Sequence, residues 1–249
     1  MSCSFFDRLK HKLLKLRYRP LRVFVFHHVS DVRDSLICEE GDWTQTEQFM
    51  HNIQSLQKKY KFISLSQAIA MLKNDKFRFT DYAVLTTDDG FASVSNLIPW
   101  LEEMHIPLTL FINSRYMKGD IIKPAHEKRL LNCINNVDIK SLAKRMYLNE
   151  TQIWSFLSPN IEIGLHGHEH VDARTISEQS FEKDFLQCLE KLQSHPRYIP
   201  AYAYPWGRDT LSSITFLQEN GIVPVLVDGG ENCIWEGYIS RDCIDNKKL

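Results

Sequence analysis

The chain has 249 residues, with 30 Lys plus Arg against 31 Asp plus Glu and a formal net charge of −1. Hydrophobic residues make up 43% and charged residues 24%, values that exclude a disordered or fibrous chain. The balance argues against a nucleic-acid partner, which calls for a basic excess, and no apolar run reaches the ~18 residues of a transmembrane helix.

The near-zero charge hides two unlike parts. Residues 1–22 carry Arg8, Lys10, Lys12, Lys15, Arg17, Arg19 and Arg22 against Asp7, a balance of +6 that leaves −7 for the rest. Phe5, Phe6, Leu9, Leu13 and Leu16 fall on one side of a helix, so residues 1–20 read as a basic amphipathic helix. Such a helix suits an anionic membrane surface, contacted through residues 1–17, or one end of the domain that follows. It lacks the apolar core and small-residue cleavage site of a signal peptide. The expected location is cytoplasmic, with peripheral attachment to the inner face of the membrane as an option. The six cysteines are scattered without a CxxC pair, which predicts free thiols.

Residues 21–249 read as one domain. Val23–Phe26 is the first buried strand. Phe49, Ile53, Leu56 and Tyr60 then recur at helical spacing, with Thr44 or Thr46 as N-cap. Phe62–Leu65 reads as a strand, and Ser66 as the cap of a helix over Gln67–Lys73. Strand Tyr82–Thr87, helix Ala92–Met104 and strand Leu108–Ile112 follow. Residues 123–157 are helical but irregular. Strand Ile161–Leu165 leads to a long helix marked by Phe181, Phe185, Leu189 and Leu192. Strand Ile199–Tyr204, helix Leu211–Gln218, strand Ile222–Val227 and a last strand Tyr238–Ile244 complete the chain. Alternating strands and helices imply parallel pairing, and about eight strands in a chain of this length predict an α/β fold of the (β/α) barrel type.

The unusual polar residues gather at strand ends. His27-His28, Asp88-Asp89-Gly90, the run His166 to His170, Pro205-Trp206-Gly207-Arg208 and Asp228-Gly229-Gly230 each follow a strand. In a parallel barrel those ends share the face that carries the active site. Packing has no use for three imidazoles at His166, His168 and His170. Two histidines plus a carboxylate make an open catalytic zinc set, so His166, His170 and Asp89 are the candidate ligands. His168, two residues from His166, points away on an extended segment. Tyr204 and Trp206 at the rim are placed to stack on a sugar ring.

This constellation resembles the polysaccharide deacetylases of carbohydrate esterase family 4, which share the NodB homology domain. Thr86-Thr87-Asp88-Asp89-Gly90 is similar to their T-F-D-D-G motif, His166-Gly167-His168-Glu169-His170 to H-(S/T)-x-x-H, and Tyr202-Ala203-Tyr204-Pro205-Trp206-Gly207 to the branch reading F-A-Y-P-Y-G. Phe26-His27-His28-Val29 looks like the early Y-H-x-V segment, and Ile106–Asn113 like the G-I-P-A-T-F-F-V strand.

The resemblance implies a distorted, NodB-like (β/α) barrel with about seven parallel strands. It implies a Zn²⁺-type divalent metal on Asp89, His166 and His170, Asp88 as the catalytic base, and Tyr204, Pro205, Trp206 and Gly207 at the substrate. The expected reaction removes N-acetyl groups from an amino sugar in a polysaccharide or glycan precursor, with a backbone N–H near Tyr204 aiding the oxyanion. Other readings are hydrolysis of a different amide, such as N-formyl, and a carbohydrate-binding module that has lost catalysis. The sequence departs from the family pattern at three points. Ala203 stands where many members have Arg, with Arg208 or Arg241 as substitutes. The late L-x-H motif is missing, with His27 or His28 as replacement acids. Gly167 replaces a hydroxyl residue.

Overall fold

The computed structural model describes residues 18–19, 21–31, 43–74, 78–119 and 146–249. The predicted N-terminal helix, except Tyr18 and Arg19, and most of the irregular 123–157 stretch lie outside these residues.

The longer apolar runs form strands whose two faces are almost wholly buried, as a covered parallel sheet requires, and short strands flank them. They are β1 (Leu21–Phe26), β2 (His28–Val29), β3 (Trp43–Thr44), β4 (Lys61–Phe62), β5 (Tyr82–Thr87), β6 (Leu108–Ile112), β7 (Ile161–Leu165), β8 (Tyr198–Ala203), β9 (Val223–Leu226), β10 (Ile239–Ser240) and β11 (Asp242–Cys243). The main sheet runs β10-β9-β8-β7-β6-β5-β1-β11, with β4 beside β5 off this path. Every pairing within it is parallel. β10 ends one sheet edge, β11 ends the other, and Arg241 alone separates them in the chain. The last run therefore bridges both edges and closes the barrel.

The sheet holds nine strands against the predicted seven or so. The excess has a simple origin. The pattern itself gives eight strands, and Tyr238–Ile244, expected as one of them, is split at Arg241.

Alternate strand residues build two cores. Val23, Val84, Phe111, Ala201, Val225 and Ile239 belong to one cluster, the barrel interior. Phe24, Leu85, Leu110, Ile163 and Tyr202 belong to the other, under the outer helices. Those helices are α1 (Thr46–Gln57), α2 (Leu65–Lys73), α3 (Ile98–Glu103), α4 (Glu150–Trp154), α5 (Glu178–Leu192) and α6 (Leu211–Glu219).

Three local expectations need correction. α1 is entered through Gln45 with no side-chain cap, because Thr44 belongs to β3 and its Oγ1 accepts from Asn246 N. The predicted strand Phe62–Leu65 stops at Phe62, and Ser64, not Ser66, caps α2 through a reciprocal bond pair with Gln67. The predicted helix Ala92–Met104 is a 3₁₀ turn over Ala92–Asn96 followed by α3, with Pro99 in its first turn.

α2 inserts Leu65, Ala68 and Leu72 into the interior cluster. The buried Glu162 of β7 anchors it. Its Oε2 accepts from Leu65 N at 3.0 Å, Ser66 N at 3.2 Å and Thr109 Oγ1 at 3.0 Å, and Oε1 accepts from Ser66 Oγ. A carboxylate at a helix N-terminus also meets the positive end of the dipole. Glu162→Gln turns one acceptor into a donor facing donors. It is expected to lower unfolding free energy by about 1–3 kcal/mol, the cost of a buried unsatisfied group. An unchanged urea midpoint would refute this anchoring role.

Candidate active site

Every charged or metal-ligating residue singled out in the sequence lies just beyond a strand of the closed barrel. β5 delivers Asp88 and Asp89, β7 delivers His166 and His170, β1 delivers His27, and the β10–β11 junction delivers Arg241. Asp88 and Arg241 are both buried, Arg241 completely. Arg241 Nη1 and Nη2 each donate to one Asp88 oxygen at 2.7 Å, a two-pronged ion pair. Nη1 also donates to Thr86 Oγ1 at 3.1 Å, and the guanidinium lies 5.3 Å over the Phe111 ring. Gly164 on β7 makes room for that ring, since a Cβ there would lie 2.4 Å from Phe111. Burial works to raise the Asp88 carboxyl, but the charge of Arg241, then His166, and the Arg241 hydrogen bonds outweigh it and hold it below its ordinary value.

Asp89 Oδ1 lies 3.3 Å from His166 Nε2 and 3.1 Å from His170 Nε2. One ligand atom from each of the three lies within 4.8 Å of the others. His166 Nδ1–H donates to Ala203 O at 2.8 Å, which leaves Nε2 as the lone-pair nitrogen facing Asp89. One carboxylate and two imidazoles are a zinc donor set with room for further ligands, so these residues fit a divalent cation. Asp89 (φ 74°) and His170 (φ 58°) both adopt left-handed backbone, a conformation that surrounding structure must impose.

That surrounding structure is visible around the histidine turn. Ser114 N donates to Gly167 O at 3.2 Å and Arg115 N to His168 O at 3.3 Å, while Asn113 Nδ2 donates to His166 O. From the other side, the buried Asp184 of α5 accepts from His168 N at 2.8 Å and Glu169 N at 2.7 Å. Burial pushes its carboxyl above the ordinary value despite those donors. Gly167 has φ 76°, and a Cβ there would lie 2.6 Å from Asp184 Oδ2. The missing hydroxyl residue is thus the space that Asp184 fills. Asp184 left a sequence signal: it is an acid on the apolar stripe of Phe181, Phe185 and Cys188. His168 turns from Asp89, and its Nδ1 shares a hydrogen bond with Ser114 Oγ at 2.8 Å.

His27 is fixed by a residue absent from the sequence expectations. Its backbone N donates to Asp245 Oδ1 at 3.1 Å, and its Nδ1–H donates to Oδ2 at 2.6 Å. The segment bearing Asp245 is tied down by α1: Asn52 Nδ2 donates to Lys247 O at 2.7 Å, and Leu249 N to Asn52 Oδ1 at 3.1 Å. Burial opposes a charged His27, but the Asp245 carboxylate outweighs it by charge and hydrogen bond. With Cys243 and Asp88 adding, the ring lies well above the ordinary histidine value. His28 instead bonds Ser93 Oγ at 3.0 Å, and the exposed Arg208 pairs with Asp172 at 2.7 Å.

The predicted substrate residues separate. Trp206 is 47% exposed, with its ring centroid 4.9 Å from that of His170 and a left-handed φ of 62°. Tyr204 corrects the expectation: it is buried and stacks on Phe181 beneath the rim, so it has no face for a sugar. Its N–H is committed to Val225 O at 3.3 Å. Pro205 is buried beside it, and Gly207 packs against Val227.

Fold and site together define a closed parallel barrel with a gripped carboxylate beside a cluster of one carboxylate and two imidazoles. A sequence profile of the polysaccharide deacetylases matches residues 78–225, more than half of the chain. The chain belongs to the polysaccharide deacetylase family and is, by that membership, a carbohydrate N-deacetylase. Solved structures share the fold at low identity. A de-N-acetylase from Aggregatibacter actinomycetemcomitans is 18% identical with a TM-score of 0.69, covering 92% of this chain and 97% of its own. The Streptococcus pyogenes deacetylase PplD, in complex with acetate, is 14% identical with a TM-score of 0.68, covering 90% and 92%. IcaB from Ammonifex degensii is 17% identical with a TM-score of 0.67, covering 91% and 92%. No curated protein sequence matches significantly.

Asp184→Ala strips the acceptors from two backbone N–H groups behind the histidine turn. The expected cost is roughly 1–3 kcal/mol for each N–H left buried. Amide hydrogen exchange at His168 and Glu169 is expected to accelerate, with Glu162-side amides unchanged. Equal protection in both proteins would show that Asp184 does not hold the turn.

Proposed function

We propose that the protein is a divalent-cation-dependent N-deacetylase acting on an N-acetylated amino sugar in a polysaccharide or glycan precursor. The observation that carries this reading is the Arg241–Asp88 pair set beside Asp89, His166 and His170. Those last three residues would hold the cation, Zn²⁺ by donor chemistry. When bound, it supplies Lewis acidity that polarises the amide carbonyl and acidifies water.

The chain's own residues supply the proton transfers. Asp88 is the base: it takes a proton from the water whose oxygen attacks the acetyl carbon. Arg241 holds both carboxylate oxygens, which fixes their direction and keeps Asp88 ionised. His27, held protonated by Asp245, is the acid that donates to the sugar nitrogen as the C–N bond breaks. Acetate and a free amino sugar result. The exposed Trp206 ring provides the apolar face on which a sugar ring stacks. The basic segment 1–17 is assigned to an anionic membrane surface on its cytoplasmic side, which suits a lipid-linked glycan precursor.

Acetate release from N-acetylhexosamine glycans tests the chemistry. Chelation is expected to abolish it and Zn²⁺ to restore it. Asp88→Asn is expected to lower kcat by about 10²–10⁴-fold, the usual contribution of a general base. Activity surviving both treatments would overturn the mechanism.

The pH profile tests His27. An acid must be protonated to act, so activity falls as pH rises through its pKa, which lies above the ordinary histidine value. Asp245→Asn removes the raising charge and is expected to move this alkaline limb to lower pH. An unmoved limb excludes His27 as the acid. Deleting residues 1–17 is expected to abolish co-sedimentation with anionic liposomes, and undiminished binding would refute the membrane assignment.

A further inference from the structure

His27 shares its carboxylate partner with a thiol. Cys243 Sγ donates to Asp245 Oδ2 at 3.3 Å, the same oxygen that accepts the His27 Nδ1–H. One ligand atom from each of His27, Cys243 and Asp245 lies within 4.8 Å of the other two. This donor set shares no residue with Asp89, His166 and His170. Thiolate, imidazole and carboxylate are all zinc ligands, and thiolate favours soft or borderline cations over Mg²⁺ or Ca²⁺. His27 and Cys243 are both part-exposed, so the cluster is within reach of solution.

We propose that His27, Cys243 and Asp245 form a second, weaker site for a thiophilic divalent cation, Zn²⁺ above all, and that filling it silences the enzyme. The weakness follows from proton competition. At Asp89 the His166 lone pair already faces inward, whereas here the cation must expel the thiol proton and the Nδ1 proton to solvent. The silencing follows from what remains on the ring. With Nδ1 coordinated, His27 keeps only the Nε2–H of a neutral imidazole, far too weak an acid to protonate a departing amine. This consequence rests on the acid role given to His27; the site itself rests only on the geometry.

Co²⁺ titration of the metal-free full-length chain separates the two claims. The first equivalent, on carboxylate and imidazoles, is expected to bring no sulfur signal. The second is expected to bring a thiolate-to-cobalt charge-transfer band in the near ultraviolet. Cys243→Ser keeps a hydroxyl donor for Asp245 and is expected to lose that band and bind one equivalent. Cys188 is a poor source of the signal, since burial pushes its thiol up to about 12. In parallel, deacetylation by the wild type is expected to fall at least tenfold in Zn²⁺ excess, while Cys243→Ser resists. No band in the wild type, or a band retained in Cys243→Ser, overturns the site and leaves the deacetylase reading standing. A Cys243-dependent band without inhibition establishes the site and overturns the acid role of His27.

Discussion

The buried ion pair between Arg241 and Asp88 is the constraint around which the barrel is arranged. Taking a guanidinium and a carboxylate out of water costs several kcal/mol each, and only near-ideal pairing offsets it. Both Asp88 oxygens and two Arg241 nitrogens are used, Thr86 takes a further N–H, and Phe111 lies beneath the guanidinium. Each of these demands a neighbour. Phe111 needs the absent side chain of Gly164, and Arg241 must sit where the closing strand passes from β9 to β1. The last run is consequently two short strands with the arginine at the break. The β8 segment has Ala203 where many family members have an arginine, and Arg241 reaches Asp88 from this junction.

The two sides of the site are held by different means. On the β5 and β7 side, the backbone is bent into left-handed conformations at Asp89, Gly167 and His170, and the segment after β6 together with α5 clamps the histidine turn with hydrogen bonds. On the β1 side, the one left-handed residue is Asn246, just past Asp245 (φ 52°). His27 follows a regular strand and is set by one carboxylate borrowed from the far end of the sequence. The first arrangement fixes geometry through the backbone, and the second sets the charge beside one ring.

Residues that act by direction or charge at strand ends were legible in the sequence, because motif spacing and strand patterning agreed. Asp88, Asp89, His166 and His170 fall together in space as the order of strands implies. What escaped was support supplied from elsewhere. Asp184 hides in a helix as one acid among apolar residues, Asn52 in an otherwise ordinary amphipathic stripe, and Asp245 beyond the last strand. Their partners are backbone groups 15 to 218 positions away, and no local pattern encodes such pairings. Tyr204 misled for a related reason. Its motif position is at the rim, but the alternation of β8 turns its ring under α5. The split of 92–104 reflects Pro99, and the shortening of 62–65 reflects the reciprocal cap of α2 by Ser64 and Gln67.

The strand that closes the barrel joins the two ends of the described chain, with the His27–Asp245 contact spanning 218 positions. Contacts of that separation carry a larger loop-closure entropy than local ones. Asp89, His166 and His170 all fall within residues 89–170, whereas Arg241 and Asp245 lie beyond β10. The grip on Asp88 and the carboxylate beside His27 therefore both depend on the closed ring.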